Sequence, residues 1–367
     1  MQQHQSRAPS VLFIGRSAWC EHGGIQRFNR RVASALMDFA GVSNVLMIAD
    51  TVVDVPTDTG QQYCFGFGGS YLRFTAAFIR RAIRSDVLLI GHVNLAPFAA
   101  IYRLLRPNGQ VVLFAHGIEV WNDPRYRRVR KYEPGLLRWA VDRVAIVSRY
   151  SQALMAKGFG VGENRFVLFP NAIDLPIRPA PLKRSGSNIL VVARLGPSET
   201  EKHVDKVIRA LPYIRRDVPN ATLTIIGNGA LRSSLEALAR DVGVAEHVHF
   251  AGSVDDADLN RAYEVASAFA LPSSKEGFGI VYLEAWSRGL PVVASRFGAA
   301  PEVVSDGIDG YTVDPFDIEQ LANRLAALLS NASLAARFAD AGWGKLKEHY
   351  CDQAFRDRLV ALCALPA

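Results

Sequence analysis

Short apolar runs alternate with longer stretches in which apolar residues recur every three or four positions, and this alternation runs through most of the 367 residues. It begins with VLFIG at 11–15, passes a glycine turn, EHGG, and enters IQRFNRRVASALMDF. There Ile25, Phe28, Val32, Leu36 and Phe39 fall on one face of a helical period. The same reading predicts strands at 44–49, 86–92, 110–117 and 143–148, with helical patterns between them such as SYLRFTAAFIRRAIR. Short apolar strands that alternate with helices predict a parallel sheet covered on both faces.

Between Ile173 and Asn188, the segment IDLPIRPAPLKRSGSN carries three prolines and no period, as a linker does. The alternation then restarts. Strands are expected at 188–195, 221–227, 247–252, 268–273 and 291–295, and helices at 202–216, 230–242, 256–266, 280–289, 299–305 and 317–330. A chain of this length exceeds the roughly 250 to 300 residues at which one hydrophobic core stops growing. The expectation is therefore two doubly wound α/β domains in tandem, each presenting the carboxyl ends of its strands to a ligand cleft between them.

Composition narrows the class. With 49% hydrophobic and 21% charged residues, 29 Gly and 18 Pro, the chain is ordered and rich in turns. Cys20, Cys64, Cys351 and Cys363 include no C-x-x-C pair, so neither a zinc site nor a disulfide framework is indicated, and a reducing cytosol fits best. The five-residue apolar run near the N-terminus is too short for a signal peptide. The apolar segment VLLIGHVNLAPFAAIYRLL contains His92, Asn94, Pro97 and Arg103, which argues against a membrane span. The net charge of +7 is uneven: residues 1–180 hold 22 basic against 12 acidic side chains, and residues 181–367 hold 20 against 23. The basic first half suits an acidic partner.

Candidate chemistry concentrates in SSKEGFGIVYLEA, residues 273–285. Glu276, Gly277, Phe278 and Gly279 lie between an apolar strand and the helix that starts at Ile280, and a helix N-terminus behind glycines is an anion site. Glu276 stands in the loop and Glu284 more than a turn into the helix, so the two carboxylates would contact different parts of one ligand. A carboxylate that accepts from vicinal hydroxyls suits a sugar or ribose ring. The plainer alternative makes Glu276 a helix cap and Glu284 a solvated residue. Arg194 at a strand end and Lys202 at the next helix start add two cations at the same sheet edge, where a diphosphate would be neutralised. In IIGNGALRSSLEAL, Gly227 and Gly229 end a strand, but Arg232 stands where a dinucleotide fingerprint has its third glycine, so a nicotinamide cofactor is not supported.

The ordered run ARLGPSETEKHVDKVIRALP, GNGALRSSLEALARDVGV, VHFAGSV, ALPSSKEGFGIVYLEAWSRGLPVVAS, GAAPEVVSDGIDGYTV and DPFD resembles the C-terminal domain of the family 4 retaining glycosyltransferases. The resemblance implies the GT-B fold, two Rossmann-like domains facing each other across a cleft. It implies that Glu276 lies by the donor sugar, Glu284 by the nucleotide ribose, and Arg194 and Lys202 by the donor diphosphate. The backbone of Phe278, Gly279 and Ile280 would assist, and Gly227 and Gly229 belong to the same donor set. One departure is Ala299, where the family usually has the second glycine of G-G-x-P-E. Gly23 and Gly24 match a glycine loop that approaches donor phosphate and acceptor, and His116 matches a histidine that contacts the transferred sugar. The roles of Glu21 and His22 are open, and Glu119 is a candidate acceptor-side base. The domains are taken as 1–178 for the acceptor, 187–345 for the nucleotide sugar, and 346–367 as a C-terminal helix crossing back to the first.

The expected activity is retaining transfer of a hexose from a UDP- or GDP-linked sugar to an acceptor hydroxyl, with Glu276 and His116 as catalytic residues. No cofactor or metal is expected. The acidic DDAD at 255–258 reads as a helix cap rather than a metal motif. The acceptor is expected to be a saccharide or a lipid-linked saccharide of cell-surface polysaccharide synthesis, with no nucleic acid partner. Arg73, Arg80 and Arg84, with Phe74, Phe78 and Ile79 near them, and Arg125, Arg127, Arg128, Arg130 and Lys131, among aromatics, suit an anionic membrane surface. The location is then cytoplasmic, peripheral on the inner face of the cytoplasmic membrane. The rival readings are a GT-B sugar-nucleotide isomerase or hydrolase, and a non-catalytic protein that binds anionic polymer.

Overall fold

The computed structural model describes residues 8–20, 23–38, 41–51, 62–176 and 186–364. The chain divides into two compact units, one of residues 1–171 with 355–367 and the other of residues 172–354. Of the expected linker, residues 177–185 lie outside the described ones.

The first unit is built from β1 (Val11–Gly15), α1 (Gly24–Met37), β2 (Ser43–Met47), β3 (Gln62–Gly66), α2 (Tyr71–Ala82), β4 (Val87–Ile90), α3 (Pro97–Leu105), β5 (Gln110–Ala115), α4 (Glu133–Ala140), β6 (Arg143–Ile146), α5 (Arg149–Phe159) and β7 (Phe166–Leu168). Its strands form one parallel sheet in the order β3-β2-β1-β4-β5-β6-β7. Every residue of β1, β4 and β5 is buried. This explains why these strands read as continuous apolar runs: helices cover both faces, so neither set of alternating side chains meets water. Phe28 from α1, Phe114 from β5 and Phe169 after β7 meet edge to face, with Phe28 and Phe114 centroids 5.0 Å apart. Phe74 and Phe78 on α2 are fully buried. They belong to the core and not to the exposed face of that helix, where the sequence reading grouped them with its arginines.

The second unit continues with β8 (Asn188–Val192), α6 (Val204–Asp217), β9 (Thr222–Ile226), α7 (Arg232–Asp241), β10 (Val248–Gly252), α8 (Asp256–Val265), β11 (Ala268–Leu271), α9 (Ile280–Ser287), β12 (Val292–Ser295), α10 (Ala300–Val303), β13 (Gly310–Val313), α11 (Ile318–Ser330) and α12 (Ala332–His349). The sheet order is β10-β9-β8-β11-β12-β13, again parallel throughout. Asp255 caps α8, its Oδ1 accepting from the Asp258 N–H at 2.8 Å, which is the role read for the acidic DDAD segment. The expected boundary at 345/346 falls inside α12, and the division comes instead at 354/355, within α13 (Asp352–Ala364). From Phe355 onward α13 belongs to the first unit. Phe355 packs on Phe169 at 4.9 Å, Arg356 pairs with Asp38 at 2.5 Å, and the Leu362 carbonyl accepts from Gln110 at 3.3 Å.

Trp286 of α9 is fully buried, and its Nε1 donates to the Asp309 carbonyl at 3.0 Å. α12 passes over it at Gly342, where a Cβ would stand 2.3 Å from the indole ring. A valine there forces the ring from its place, at an overpacking cost of about 1–3 kcal/mol. This exceeds the few tenths of a kcal/mol by which valine outranks glycine as a helix former. Gly342→Val is therefore expected to lower the urea midpoint of the second unit's transition, and a midpoint equal to or above wild type would contradict this packing.

Candidate active site

In the second unit the strand order reverses between β8 and β11, with β9 and β10 on one side and β12 and β13 on the other. Connections leaving the carboxyl ends of those two strands run to opposite faces, and the crevice between them is where doubly wound sheets bind ligands. β8 and β11 are in register at Ile189 with Ala268 and at Leu190 with Phe269. Arg194 leaves β8 at this edge, and the Ser273–Glu276 segment leaves β11.

A set of bonds ties the two connections together. The Glu201 carbonyl accepts from the Ser274 N–H at 2.9 Å and from the Ser273 hydroxyl at 3.1 Å. His203 Nε2 and Ser274 Oγ stand 2.7 Å apart. Lys202 Nζ donates to Glu276 Oε2 at 2.6 Å, both side chains being about one-sixth exposed. The two residues that sequence reasoning placed on a diphosphate and on a sugar are thus direct partners. Arg194, largely exposed, pairs with the buried Glu199 at 2.6 Å. Both cations are fixed by carboxylates and keep further N–H donors, since an ammonium carries three and a guanidinium five.

Gly279 precedes α9 with φ 91°, a conformation that L residues rarely adopt, and a Cβ there would lie 2.3 Å from the Tyr282 ring. This glycine turns the chain so that the first N–H groups of α9, which lack intrahelical partners, open the helix behind Glu276. The Phe278 side chain points elsewhere, buried against Tyr350 at 5.8 Å, so any part it plays toward a ligand is through its backbone. Ile280 is the first residue of α9. Glu284, one turn further, has its Oε2 accepting from the Tyr263 hydroxyl at 3.0 Å. At the departure position, Ala299 takes φ −86°, is buried, and donates its N–H to the Glu276 carbonyl at 3.0 Å. A methyl fits there without strain. Gly298, with φ 68°, is the residue that must stay small, because its Cβ would meet the Glu276 backbone at 2.9 Å.

Gly227 and Gly229 have a structural reason to be glycine. A Cβ on Gly227 would fall 1.8 Å from the Ala193 carbonyl oxygen, and one on Gly229 would fall 2.3 Å from the Leu195 carbonyl. They let the connection after β9 lie on the connection that carries Arg194, with Leu195 N–H bonded to the Asn228 carbonyl at 3.1 Å and Leu231 N–H to the Leu195 carbonyl at 2.9 Å.

In the first unit the strand order reverses between β1 and β4. Gly23 precedes α1 with φ 156° and Gly24 begins it, both exposed; Glu21 and His22 lie outside the described residues. The approach to this glycine pair is fixed by Asp50, a buried residue that the sequence reading missed. Its carboxylate accepts from the N–H groups of Ala18 at 2.8 Å, Trp19 at 3.2 Å and Cys20 at 2.9 Å. His116 follows β5, its Nε2 3.0 Å from the Gly91 carbonyl and its ring edge-on to Phe28 at 4.6 Å. A carbonyl only accepts, so Nε2 carries the proton and Nδ1 is the acceptor when the ring is neutral. Glu119 accepts from the His116 N–H, which ties it into the turn after β5, while its Oε2 is buried without a hydrogen-bond partner among the described residues. His92, after β4, lies in the same neighbourhood. Burial pushes its pKa down to about 4 even though the Glu119 charge pulls the other way, with His116, Arg127 and Arg16 adding to the fall.

Two parallel α/β units, with cations, a helix start and paired glutamates at the carboxyl edge of the second, define a nucleotide-sugar-dependent glycosyltransferase of the GT-B fold. The chain belongs to the group 1 glycosyltransferases: the family model "Glycosyl transferases group 1" matches residues 177–343 and "Glycosyltransferase Family 4" matches residues 22–176. It is 35% identical over 272 residues, covering 67% of this chain and 68% of the relative, to a GDP-mannose-dependent alpha-(1-6)-phosphatidylinositol monomannoside mannosyltransferase of Mycolicibacterium smegmatis. It is 28% identical over 340 residues, 87% of each chain, to a phosphatidyl-myo-inositol mannosyltransferase of Mycobacterium leprae. Among solved structures, Anabaena HepE in complex with UDP is similar with a TM-score of 0.76 and 19% identity, covering 97% of this chain and 100% of that one. Sucrose-phosphate synthase from Thermosynechococcus elongatus is similar with a TM-score of 0.77 and 19% identity, covering 96% and 98%. At such identities the likeness to these structures is one of fold.

The half-buried His92 makes the first unit sensitive to acid. Its folded-state pKa of about 4 lies below the ordinary 6.5, so the unfolded chain takes up the proton first as pH falls. The stability contribution is complete above the ordinary pKa and is lost on descending toward the folded one, by about 3 kcal/mol in all. Urea unfolding across this window is expected to show wild type losing stability relative to His92→Gln by about 3 kcal/mol as pH falls. Parallel curves would show that His92 does not carry the effect.

Proposed function

We propose that this protein transfers a hexose from a UDP- or GDP-linked sugar to an acceptor hydroxyl with retention at the anomeric carbon. The observation that carries the proposal is the Lys202–Glu276 pair at the β8/β11 reversal, set behind the glycine-turned start of α9. As the bond between the anomeric carbon and the phosphate oxygen breaks, positive charge grows on the ring and negative charge on the diphosphate. Lys202, Arg194 and the N–H groups at the start of α9 stabilise the latter. The acceptor oxygen bonds to the anomeric carbon on the face the phosphate leaves, and its proton passes to the departing phosphate oxygen. Glu276 orients the sugar hydroxyls, His116 Nδ1 accepts a further hydroxyl in the role the family resemblance gives it, and Glu284 takes the ribose.

The reaction is proposed to run without a metal ion, because fixed cations supply the charge that a divalent ion would bring. The carboxylates nearest them, Glu199 and Glu276, already face Arg194 and Lys202. The relatives' names point to GDP-mannose as donor and to a lipid-borne inositol glycan as acceptor, which favours a lipid-linked saccharide over a free one.

Attachment to the inner face of the cytoplasmic membrane is proposed to run through α2 and its continuation. Leu72, Ile79 and Ile83 are exposed, Leu72 at 87%, and alternate with exposed Arg73, Arg80 and Arg84. Arginine stems beside apolar side chains suit an anionic lipid surface. In the second basic run Arg125 pairs with Asp123, and Arg127, mostly buried, pairs with Glu133 and bonds Asn94. These two serve the fold, so the membrane role narrows to α2, with Arg128, Arg130 and Lys131 at the exposed remainder. Among the described residues no helix is long and apolar enough to cross a membrane.

Glu276→Gln is expected to lower kcat by about a hundredfold or more, because the lost interaction acts on the sugar in the transition state. Its melting temperature and nucleotide binding should stay close to wild type. Lys202→Ala is expected to weaken nucleoside diphosphate affinity ten- to hundredfold, in line with about 1.5–3 kcal/mol for a charge-assisted hydrogen bond. Activity unchanged in the glutamate variant, a rate abolished by a chelator and restored by a divalent ion, or a product of inverted anomeric configuration would each overturn the corresponding part of the proposal. Thermal shift against UDP- and GDP-sugars identifies the donor.

A further inference from the structure

Two side-chain bonds tie α8 to α9. Arg288 donates to the Asn260 amide oxygen at 2.6 Å, and the Tyr263 hydroxyl donates to Glu284 Oε2 at 3.0 Å. Asn260 and Tyr263 share one face of α8, and Glu284 and Arg288 one face of α9, because residues three or four apart on a helix are neighbours. The surroundings of the two bonds differ. Asn260 is exposed, whereas Tyr263 is only 2% exposed. The first bond joins two helices; the second ends on the carboxylate to which the proposed reaction gives the nucleotide ribose.

Tyr263 is held in place by the sheet. Its ring lies against Phe269 of β11 with centroids 5.9 Å apart, and Phe269 in turn meets Tyr282 of α9 at 6.1 Å. A phenylalanine would supply the same ring packing, so packing alone gives no reason for the hydroxyl. A buried tyrosine is a rigid donor, ordered at low entropic cost, and its O–H needs a partner inside. A glutamate, by contrast, is among the side chains that lose most rotamer freedom when they are ordered. The bond from Tyr263 removes part of that freedom before any ligand arrives, and a site gains affinity when its groups are ordered in advance. A carboxylate accepts about four hydrogen bonds, so the phenol sets the direction of Glu284 without exhausting what it can accept.

We propose that Tyr263 is a positioning residue that sets the site's preference for ribonucleotides over deoxyribonucleotides, by holding the Glu284 carboxylate at the ribose hydroxyls. The inference rests on the reading that puts Glu284 at the ribose. A site built to hydrogen-bond a hydroxyl rejects the analogue that lacks it, because its own polar group is then left without that partner. The rejection weakens when the acceptor can swing out to water instead. Glu284 is partly exposed, and the buried phenol is what keeps it from doing so.

The test is calorimetric titration of the full chain with GDP and UDP, and with the 2′-deoxy and 3′-deoxy forms of whichever binds. Wild type is expected to bind the ribonucleotide about ten- to hundredfold more tightly than the weaker-binding deoxy form. Tyr263→Phe keeps the ring and loses the hydroxyl. It should weaken ribonucleotide binding about tenfold while the weaker deoxy form binds within about twofold of its wild-type affinity, so that most of the preference disappears. Glu284→Ala should remove the preference outright, and adding Tyr263→Phe to it should change nothing further, since the hydroxyl acts through the carboxylate. Asn260→Ala cuts the other tie between the two helices and is expected to keep the preference in full. A preference unchanged in Tyr263→Phe, an equal loss in Asn260→Ala, or a further loss in the double variant would overturn the proposal. If Glu284→Ala keeps the wild-type preference, the ribose reading of Glu284 falls and the role of Tyr263 with it. A preference lost in Glu284→Ala but intact in Tyr263→Phe sinks the role of Tyr263 alone. No binding of either nucleotide by wild type would remove the glycosyl-transfer reading together with this one.

Discussion

The reversal of strand order between β8 and β11 is the constraint on which the candidate site depends. Chain leaving β8 must turn toward one face of the sheet and chain leaving β11 toward the other, so no regular structure fills the space at their carboxyl ends. The protein spans that gap with side chains and a few backbone bonds: Glu201 to Ser273 and Ser274, His203 to Ser274, and Lys202 to Glu276. These bonds fix an ammonium and a carboxylate at a definite separation in a partly buried place, where each influences the other more strongly than it would in water.

Glycine makes the closeness possible. The connection after β9 lies so near the connection after β8 that Gly227 and Gly229 admit no side chain, and Gly298 does the same where the loop before α10 touches the Glu276 backbone. Motif glycines of this kind are often taken for ligand contacts. Here each has a packing requirement that stands whether or not it also meets a ligand. The same view explains the tolerance of Ala299, whose helical φ accepts a methyl while its N–H holds the Glu276 carbonyl.

Central strands and helix starts were legible in the sequence because burial on both faces makes continuous apolar runs, and because Asp255 at the head of an apolar pattern is a recognisable cap. Three strands escaped notice: β3, β7 and β13, each at the edge of its sheet. Edge strands are short and half-solvated, so FVL at 166–168 and GYTV at 310–313 show neither a long run nor a clear alternation. Glu276, Lys202 and Arg194 could be found because they sit at element ends that the pattern predicts. Asp50, Tyr263 and the pairing of Glu199 with Arg194 could not, since each acts across the fold on a partner set by topology. Charge misled in one place: Arg127 reads as part of a basic run, yet its guanidinium is needed inside, against the buried Glu133.

Under the proposed reaction, the Lys202–Glu276 pair resolves a difficulty that separate roles would leave. A carboxylate beside a diphosphate would repel it, and a lysine beside a sugar alone would have nothing to neutralise. Bonded to each other at 2.6 Å, they present a near-neutral unit to the ligand. One of the three ammonium protons holds Glu276, and two remain for phosphate oxygens. The second carboxylate oxygen remains for sugar hydroxyls. One side-chain pair then spans the bond that breaks, gripping the leaving group with one member and the ring with the other. As negative charge moves onto the phosphate, Lys202 is already placed to meet it, and no group has to reorganise while the bond is breaking.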